Sequence, residues 1–167
     1  MNHIIRPWVL ADAADLAHAL NNKNILDNLR DGLPFPYTLA DAQAYIHAML
    51  EADKNETYAF AIVADGRAVG SIGAFRQGNI HRLTAEMGYY IAQAYWGQGL
   101  GTRAVKEVCR YIFQQTDIVR IFAQPFAHNQ ASCRVLEKAG FTREGVLRRN
   151  AVKNGQFVDI VLYAILE

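Results

Sequence analysis

The chain has 167 residues, 51% of them hydrophobic and 20% charged, with a formal net charge of +1. That length suits one domain spanning 1–167, with a core large enough to need no metal or disulfide staple. The balanced charge, with no basic stripe, argues against a nucleic-acid binder. No apolar run reaches the ~18 residues of a membrane span, and MNHIIRPW lacks the long apolar core of a signal peptide. Cys109 and Cys133 make no metal-type spacing and fit the apolar faces of predicted helices. They read as reduced core residues, so a cytoplasmic protein is expected.

In chain order, His3 to Pro7 is expected to be a short edge strand, ended by Pro7. Asp12 to Asn21 is helical, with Leu16 and Leu20 four apart. Arg30 to Tyr37, RDGLPFPY, is a loop, because two prolines and a glycine interrupt any regular structure. Thr38 and Asp41 resemble a capping box that opens a helix running to about Glu51. Thr57 to Val63 and Ala68 to Phe75 are strands joined by an Asp65-Gly66 turn. Thr84 to Ile91 is a further strand, with Glu86, Gly88 and Tyr90 on one face and Met87, Tyr89 and Ile91 on the other.

Gly99 to about Gln115 is the clearest helix. Ala104, Val105, Val108, Cys109, Ile112 and Phe113 form its apolar stripe, while Arg103, Lys106, Glu107 and Arg110 lie off it. Arg120 to Phe126 is a strand, and Asn129 to Ala139 a helix ended by Gly140. Val146 to Val152 and Phe157 to Ile165 form a hairpin about Asn154-Gly155. This order defines a mixed α/β domain with a mostly antiparallel sheet.

The segment Tyr95 to Ala104, YWGQGLGTRA, joins a strand to a helix through Gly97, Gly99 and Gly101. Glycines there permit positive φ and close ligand approach, and the helix start offers unpaired N–H groups; together they suit a phosphate. A plain tight turn is the alternative. The segment lacks the Lys-Ser/Thr of a Walker loop. Its spacing matches a dinucleotide fingerprint, but the next strand ends in Gln124, Pro125 and Phe126 instead of an acidic residue.

YWGQGLG resembles the pyrophosphate loop of the GNAT (GCN5-related) N-acetyltransferases. HNQASCRVLEKAGF resembles their second signature, with Asn129, Ser132, Gly140 and Phe141 in place. The resemblance covers nearly the whole chain. It departs at Trp96, where the family usually has Arg or Gln, and at Leu136, where many members carry a Tyr that protonates the leaving thiolate. LRDGLPFPYT, AEMGYYI and EGVLRR…NGQFVDIVLY look most like the Rim-type branch, which acetylates protein N-termini such as those of ribosomal proteins.

The resemblance implies a GNAT-like domain, with helices on both faces of the sheet and a splayed strand pair forming an acetyl-CoA cleft. It implies acetyl-CoA as donor, no metal, and an amine acceptor that is a protein N-terminus or a small amine. Implied CoA contacts are Ile91, Gln98, Gly99, Leu100, Gly101, Thr102, Asn129 and Ser132. For Asn129 a helix N-cap is an equal alternative. Ser132 is a candidate hydrogen bonder at the thiol.

Glu86 is the candidate general base, since it lies on the strand before the glycine loop; a structural carboxylate paired with Arg or Tyr is the alternative. Arg30, Asp31, Phe35 and Tyr37 fall on the loop that in the family helps form the acceptor pocket; an ordinary surface loop is the alternative. His81 and His128 read as surface residues, and no His/Cys/carboxylate cluster has metal spacing. A CoA-binding module without catalysis is the rival reading, and both monomer and homodimer stay open.

Overall fold

The computed structural model describes residues 2–167. One seven-stranded sheet runs in the order β1-β2-β3-β4-β5-β7-β6. The strands are β1 Ile5–Arg6, β2 Thr57–Ala64, β3 Arg67–Arg76, β4 Thr84–Ile91, β5 Arg120–Ala123, β6 Thr142–Lys153 and β7 Gln156–Leu166. The helices are α1 Ala13–Leu20, α2 Lys23–Leu26, α3 Leu39–Glu51, α4 Leu100–Gln115 and α5 Gln130–Lys138. All neighbouring strands are antiparallel except β4 and β5. This is the mixed α/β domain expected, with a mostly antiparallel single sheet.

Local chemistry sets most boundaries. Asp65 and Gly66 both take positive φ, as do Asn154 and Gly155, so each two-residue turn matches the twist of its hairpin. Thr38 Oγ1 accepts from Asp41 N–H at 3.2 Å while the Asp41 carboxylate accepts from Thr38 N–H at 2.8 Å, which closes the capping box of α3. On α4 the buried stripe is Ala104, Val105, Val108, Cys109 and Ile112, with Phe113 partly buried beside it. Both cysteines are free thiols. Burial pushes the Cys109 thiol up to about 12, so it stays protonated in the core.

Four boundaries differ from expectation. β1 holds only Ile5–Arg6, not His3 to Pro7. The short helix α2 follows α1, with Asn22 Oδ1 accepting from Asn24 N–H at 2.9 Å. β5 stops at Ala123, three residues short of Phe126, because Pro125 has no N–H for the ladder; Phe126 makes only an isolated bridge to Ile160. β6 starts at Thr142, four residues before Val146, because Gly140 turns the chain out of α5 at φ 100 and Phe141 leads directly into the strand.

The sheet divides the interior in two. On one face α4 and α5 cover Ile62, Ile72, Ala85, Met87, Ile121 and Tyr163. On the other, α1, α2 and α3 cover Ala61 and Ala68, with Trp8, Leu16, Ile25 and Ile46 in the same cluster. Among the described residues, no helix is long and apolar enough to cross a membrane.

Asp12 anchors the second cluster to the first strand. Arg6 donates to both of its oxygens, at 2.7 and 2.8 Å, and Val9 N–H donates at 3.1 Å. Burial alone would raise the Asp12 pKa; the Arg6 and Val9 hydrogen bonds outweigh it and hold it below the usual value. A carboxylate depressed in the folded state gives stability that is present above its unfolded pKa of about 3.9 and lost as pH falls through the folded value. Asp12→Asn is expected to lower unfolding stability by about 1–3 kcal/mol at pH 7. The loss should shrink below about pH 4. Urea denaturation at both pH values checks this.

Candidate active site

The site begins where β4 loses a neighbour. Gln77 N–H donates to Thr84 O at 2.8 Å and Ala92 N–H to Val69 O at 2.7 Å, so residues 84, 86, 88, 90 and 92 turn their backbone groups toward β3. Residues 85, 87, 89 and 91 therefore face the β5 side. There the ladder ends at Glu86↔Phe122. Tyr89 N–H and C=O and Ile91 N–H open on the gap between the strands. An extended amide-bearing ligand can pair with such an edge as an added strand would.

At one end of the gap sits the glycine loop. Gly97 and Gly99 both have φ 75, and a β-carbon on either would meet only open space. Gly99 caps α4 without a side chain, so no side-chain oxygen occupies the first N–H groups, those of Leu100, Gly101 and Thr102. The 16-residue helix adds its positive end at the same place. Gly101 is different: it is buried where α4 meets α5 and β4, and a β-carbon there would make ordinary contacts, 3.4 Å from Val135 and 3.5 Å from Ile91. Gln98 is exposed on the loop. Trp96 donates its indole N–H to Ile91 O at 2.7 Å, tying the loop to the end of β4. The cradle fits a pyrophosphate, whose oxygens would take the free amides.

The start of α5 flanks the gap. Asn129 is the N-cap, with Oδ1 accepting from Ser132 N–H at 3.2 Å, so the capping role is realised. Ser132 Oγ lies 2.8 Å from the Tyr89 hydroxyl. Burial holds that phenol well above its ordinary pKa, so it stays protonated. Leu136, one turn after Ser132, is fully buried and offers no hydroxyl.

Toward the far side of the sheet, Arg30 donates to the Glu86 carboxylate, so two residues singled out on separate grounds meet. Lys153 Nζ is 2.9 Å from Asp31, and Asn154 Nδ2 donates to Asp27 at 3.1 Å. These contacts pin the 27–31 loop to the β6–β7 turn on both sides of Arg30. Phe35 is exposed, with Lys23 over its ring at 5.1 Å. Tyr37 is placed differently from the expected pocket surface: its ring is buried in the second core cluster, where burial pushes its phenol up to about 12. An adjoining groove is lined by Asp27, His128, Lys153, Asn154, Phe157 and Asp159.

Tyr89, Lys153, Asn154 and Asp27 were not candidates from sequence. Alternation puts Tyr89 on the face away from Glu86, which was readable, but nothing local pairs it with Ser132. Lys153 and Asn154 looked like turn residues because their partners lie more than 120 positions away. Among the described residues, no group of three His, Cys, Asp or Glu side chains could hold a metal.

A split parallel strand pair with a glycine loop opening the helix that follows β4 defines a class of fold. The family model described as "Acetyltransferase (GNAT) domain" matches residues 2–142, and the chain belongs to that family. Bacillus subtilis "Probable N-acetyltransferase YjcK" is 39% identical over 116 residues, 68% of this chain and 64% of that protein. The matched stretch thus spans less than two thirds of that relative's length. Mycobacterium smegmatis RimJ, solved in complex with CoA-disulfide, superimposes with a TM-score of 0.86 at 26% identity, covering 97% of this chain and 80% of the other. A RimL ribosomal alpha-N-protein acetyltransferase in complex with coenzyme A gives a TM-score of 0.86 at 21% identity, covering 97% and 92%, a likeness of fold.

Gly99→Val adds a branched side chain at φ 75, where the backbone must also approach the phosphates. Affinity for acetyl-CoA is expected to fall at least ~tenfold, or ~1.4 kcal/mol. Unchanged affinity by calorimetry in a folded variant would refute the cradle.

Proposed function

We propose that this protein is an acetyl-CoA-dependent N-acetyltransferase that acts by direct attack of an amine in a ternary complex, and that its acceptor is the α-amine of a protein N-terminus, such as that of a ribosomal protein. The observation that carries the reading is the gap beside β4, with the glycine cradle at one end and Glu86 at the other. Acetyl-CoA held there would present the thioester carbonyl to the acceptor. The likeness to RimJ, solved in complex with CoA-disulfide, supports CoA as the carrier of the donor group.

The residues divide the work. Leu100, Gly101 and Thr102 amides hold the pyrophosphate. The Tyr89 and Ile91 backbone groups align the pantetheine arm, and an N–H of that edge can hydrogen-bond the carbonyl oxygen as charge develops on it. Glu86 takes the proton of the attacking amine, directly or through water, after Arg30 yields its place. Ser132 serves the departing sulfur. Arg30, Asp31 and Phe35 form the acceptor wall. Most of the acceleration comes from positioning two reactants in one cleft.

Glu86→Gln keeps size and removes basicity. Turnover is expected to fall by ~10²–10⁴ with acetyl-CoA affinity retained. Wild-type turnover at neutral pH would mark Glu86 as the structural partner of Arg30.

The equipment for deprotonation is a single carboxylate. Only a neutral amine attacks, and an α-amine, pKa ~7.7–8.0, loses its proton at pH 7 for about 1 kcal/mol, against about 4.6 for lysine at pKa ~10.4. Peptides with free N-termini are therefore expected to be acetylated faster than the same lysine-bearing peptides with blocked N-termini. The check is kcat/KM at pH 7 for both sets. Equal rates would overturn the α-amine assignment, and activity on neither, with turnover of a small amine, would move the acceptor to that class.

A further inference from the structure

We propose that Tyr89 is a positioning residue for Ser132: its hydroxyl holds the serine so that the serine's own proton points into the gap, toward the sulfur of the departing CoA. The proposal rests on the acetyltransferase reading above and adds the donor missing at Leu136.

The geometry is a small accounting of protons. Tyr89 O–H has two acceptors in reach, Ser132 Oγ at 2.8 Å and the Ser132 carbonyl at 3.2 Å. Two arrangements exist. In one, Ser132 donates to Tyr89 and Tyr89 donates to the carbonyl; the serine proton is then consumed inside the pair. In the other, Tyr89 donates to Ser132 Oγ, and the serine proton is free for a third partner. A phenol is a stronger acid than an aliphatic alcohol, so donation from Tyr89 to Ser132 is the better polarised arrangement. A developing thiolate in the gap draws the pair into it, because a hydrogen bond to a charged acceptor is stronger than one between neutral groups.

Placement supports this use. The Tyr89 backbone lines the open edge of β4, while its ring reaches under α5 and is packed against the main core. Ser132 lies in the first turn of α5, fixed through its own N–H by Asn129 Oδ1 at 3.2 Å. The serine is thus held from two sides, with one proton left to place. The ring's burial keeps the phenol protonated, so it acts as a permanent donor and does not itself supply the proton. In the chemical step the C–S bond breaks as the C–N bond forms. The electron pair stays on sulfur, Ser132 O–H donates a hydrogen bond to it, and the amine proton goes to Glu86. Final protonation of the thiolate comes from solvent.

The test is a double-mutant cycle of Tyr89→Phe and Ser132→Ala on kcat and KM, with acetyl-CoA and an accepted amine. Tyr89→Phe alone is expected to lower kcat about tenfold, with the KM for acetyl-CoA within about twofold, because the hydrogen bond strengthens only as charge develops on sulfur. In the Ser132→Ala background the same substitution is expected to have less than about a twofold effect. A second reading needs no turnover: the thiol pKa of bound CoA, followed by thiolate absorbance, should rise in Tyr89→Phe and in Ser132→Ala, and no further in the double variant. Independent, multiplying effects on kcat, or a bound-thiol pKa unmoved by Tyr89→Phe, would overturn the positioning role while leaving the acetyltransferase reading intact. Failure of the wild-type protein to bind CoA would overturn both.

Discussion

After Glu86 pairs with Phe122, β4 runs on for five residues with no strand on that side. The functional geometry depends on this break. Backbone groups left unpaired away from water cost about 1–3 kcal/mol each, so a fold keeps such an edge only where solvent or a ligand satisfies it. Beyond β5 the chain keeps its line along β7, with Val161 N–H donating to Pro125 O at 3.0 Å and Ala127 N–H to Asp159 O at 2.8 Å, although Pro125 itself has no N–H to give that ladder.

The two ends of the gap are built by different means. The cradle is backbone chemistry: positive φ at Gly97 and Gly99, free amides at the start of α4, and Trp96 tying the loop to Ile91 O. A cradle built this way needs no particular side chain at position 96, where the family usually has Arg or Gln and this chain has Trp96. The other end is side-chain chemistry across long sequence separations. Arg30 meets Glu86, and Lys153 and Asn154 hold the loop that carries Arg30. The cradle is therefore local in the chain, while the Arg30–Glu86 end is assembled from three distant segments.

That division also governs what could be read from the sequence. Helix α4, the capping box of α3, both two-residue turns and the placing of Glu86 on β4 follow from periodicity and turn chemistry, which act within a few residues. The glycine loop was legible for the same reason. Tyr37 was misplaced because a loop rich in proline suggests a surface, while the ring's burial depends on Trp8, Ile46 and other residues of the second cluster. The Tyr89–Ser132 contact and the lysine tether were invisible because each joins elements that only the sheet order brings together. The end of β5 was legible in Pro125 itself, yet the apolar run through Phe126 masked it.

One measurement addresses the break directly: amide hydrogen exchange with and without CoA, resolved residue by residue. New protection is expected at the Tyr89 and Ile91 amides, which face the gap, and at Leu100, Gly101 and Thr102 in the cradle. The β1–β2 pair should remain unchanged. Binding that leaves Tyr89 and Ile91 exchanging at their ligand-free rates would contradict this, because the open edge of β4 would then not be where the donor lies.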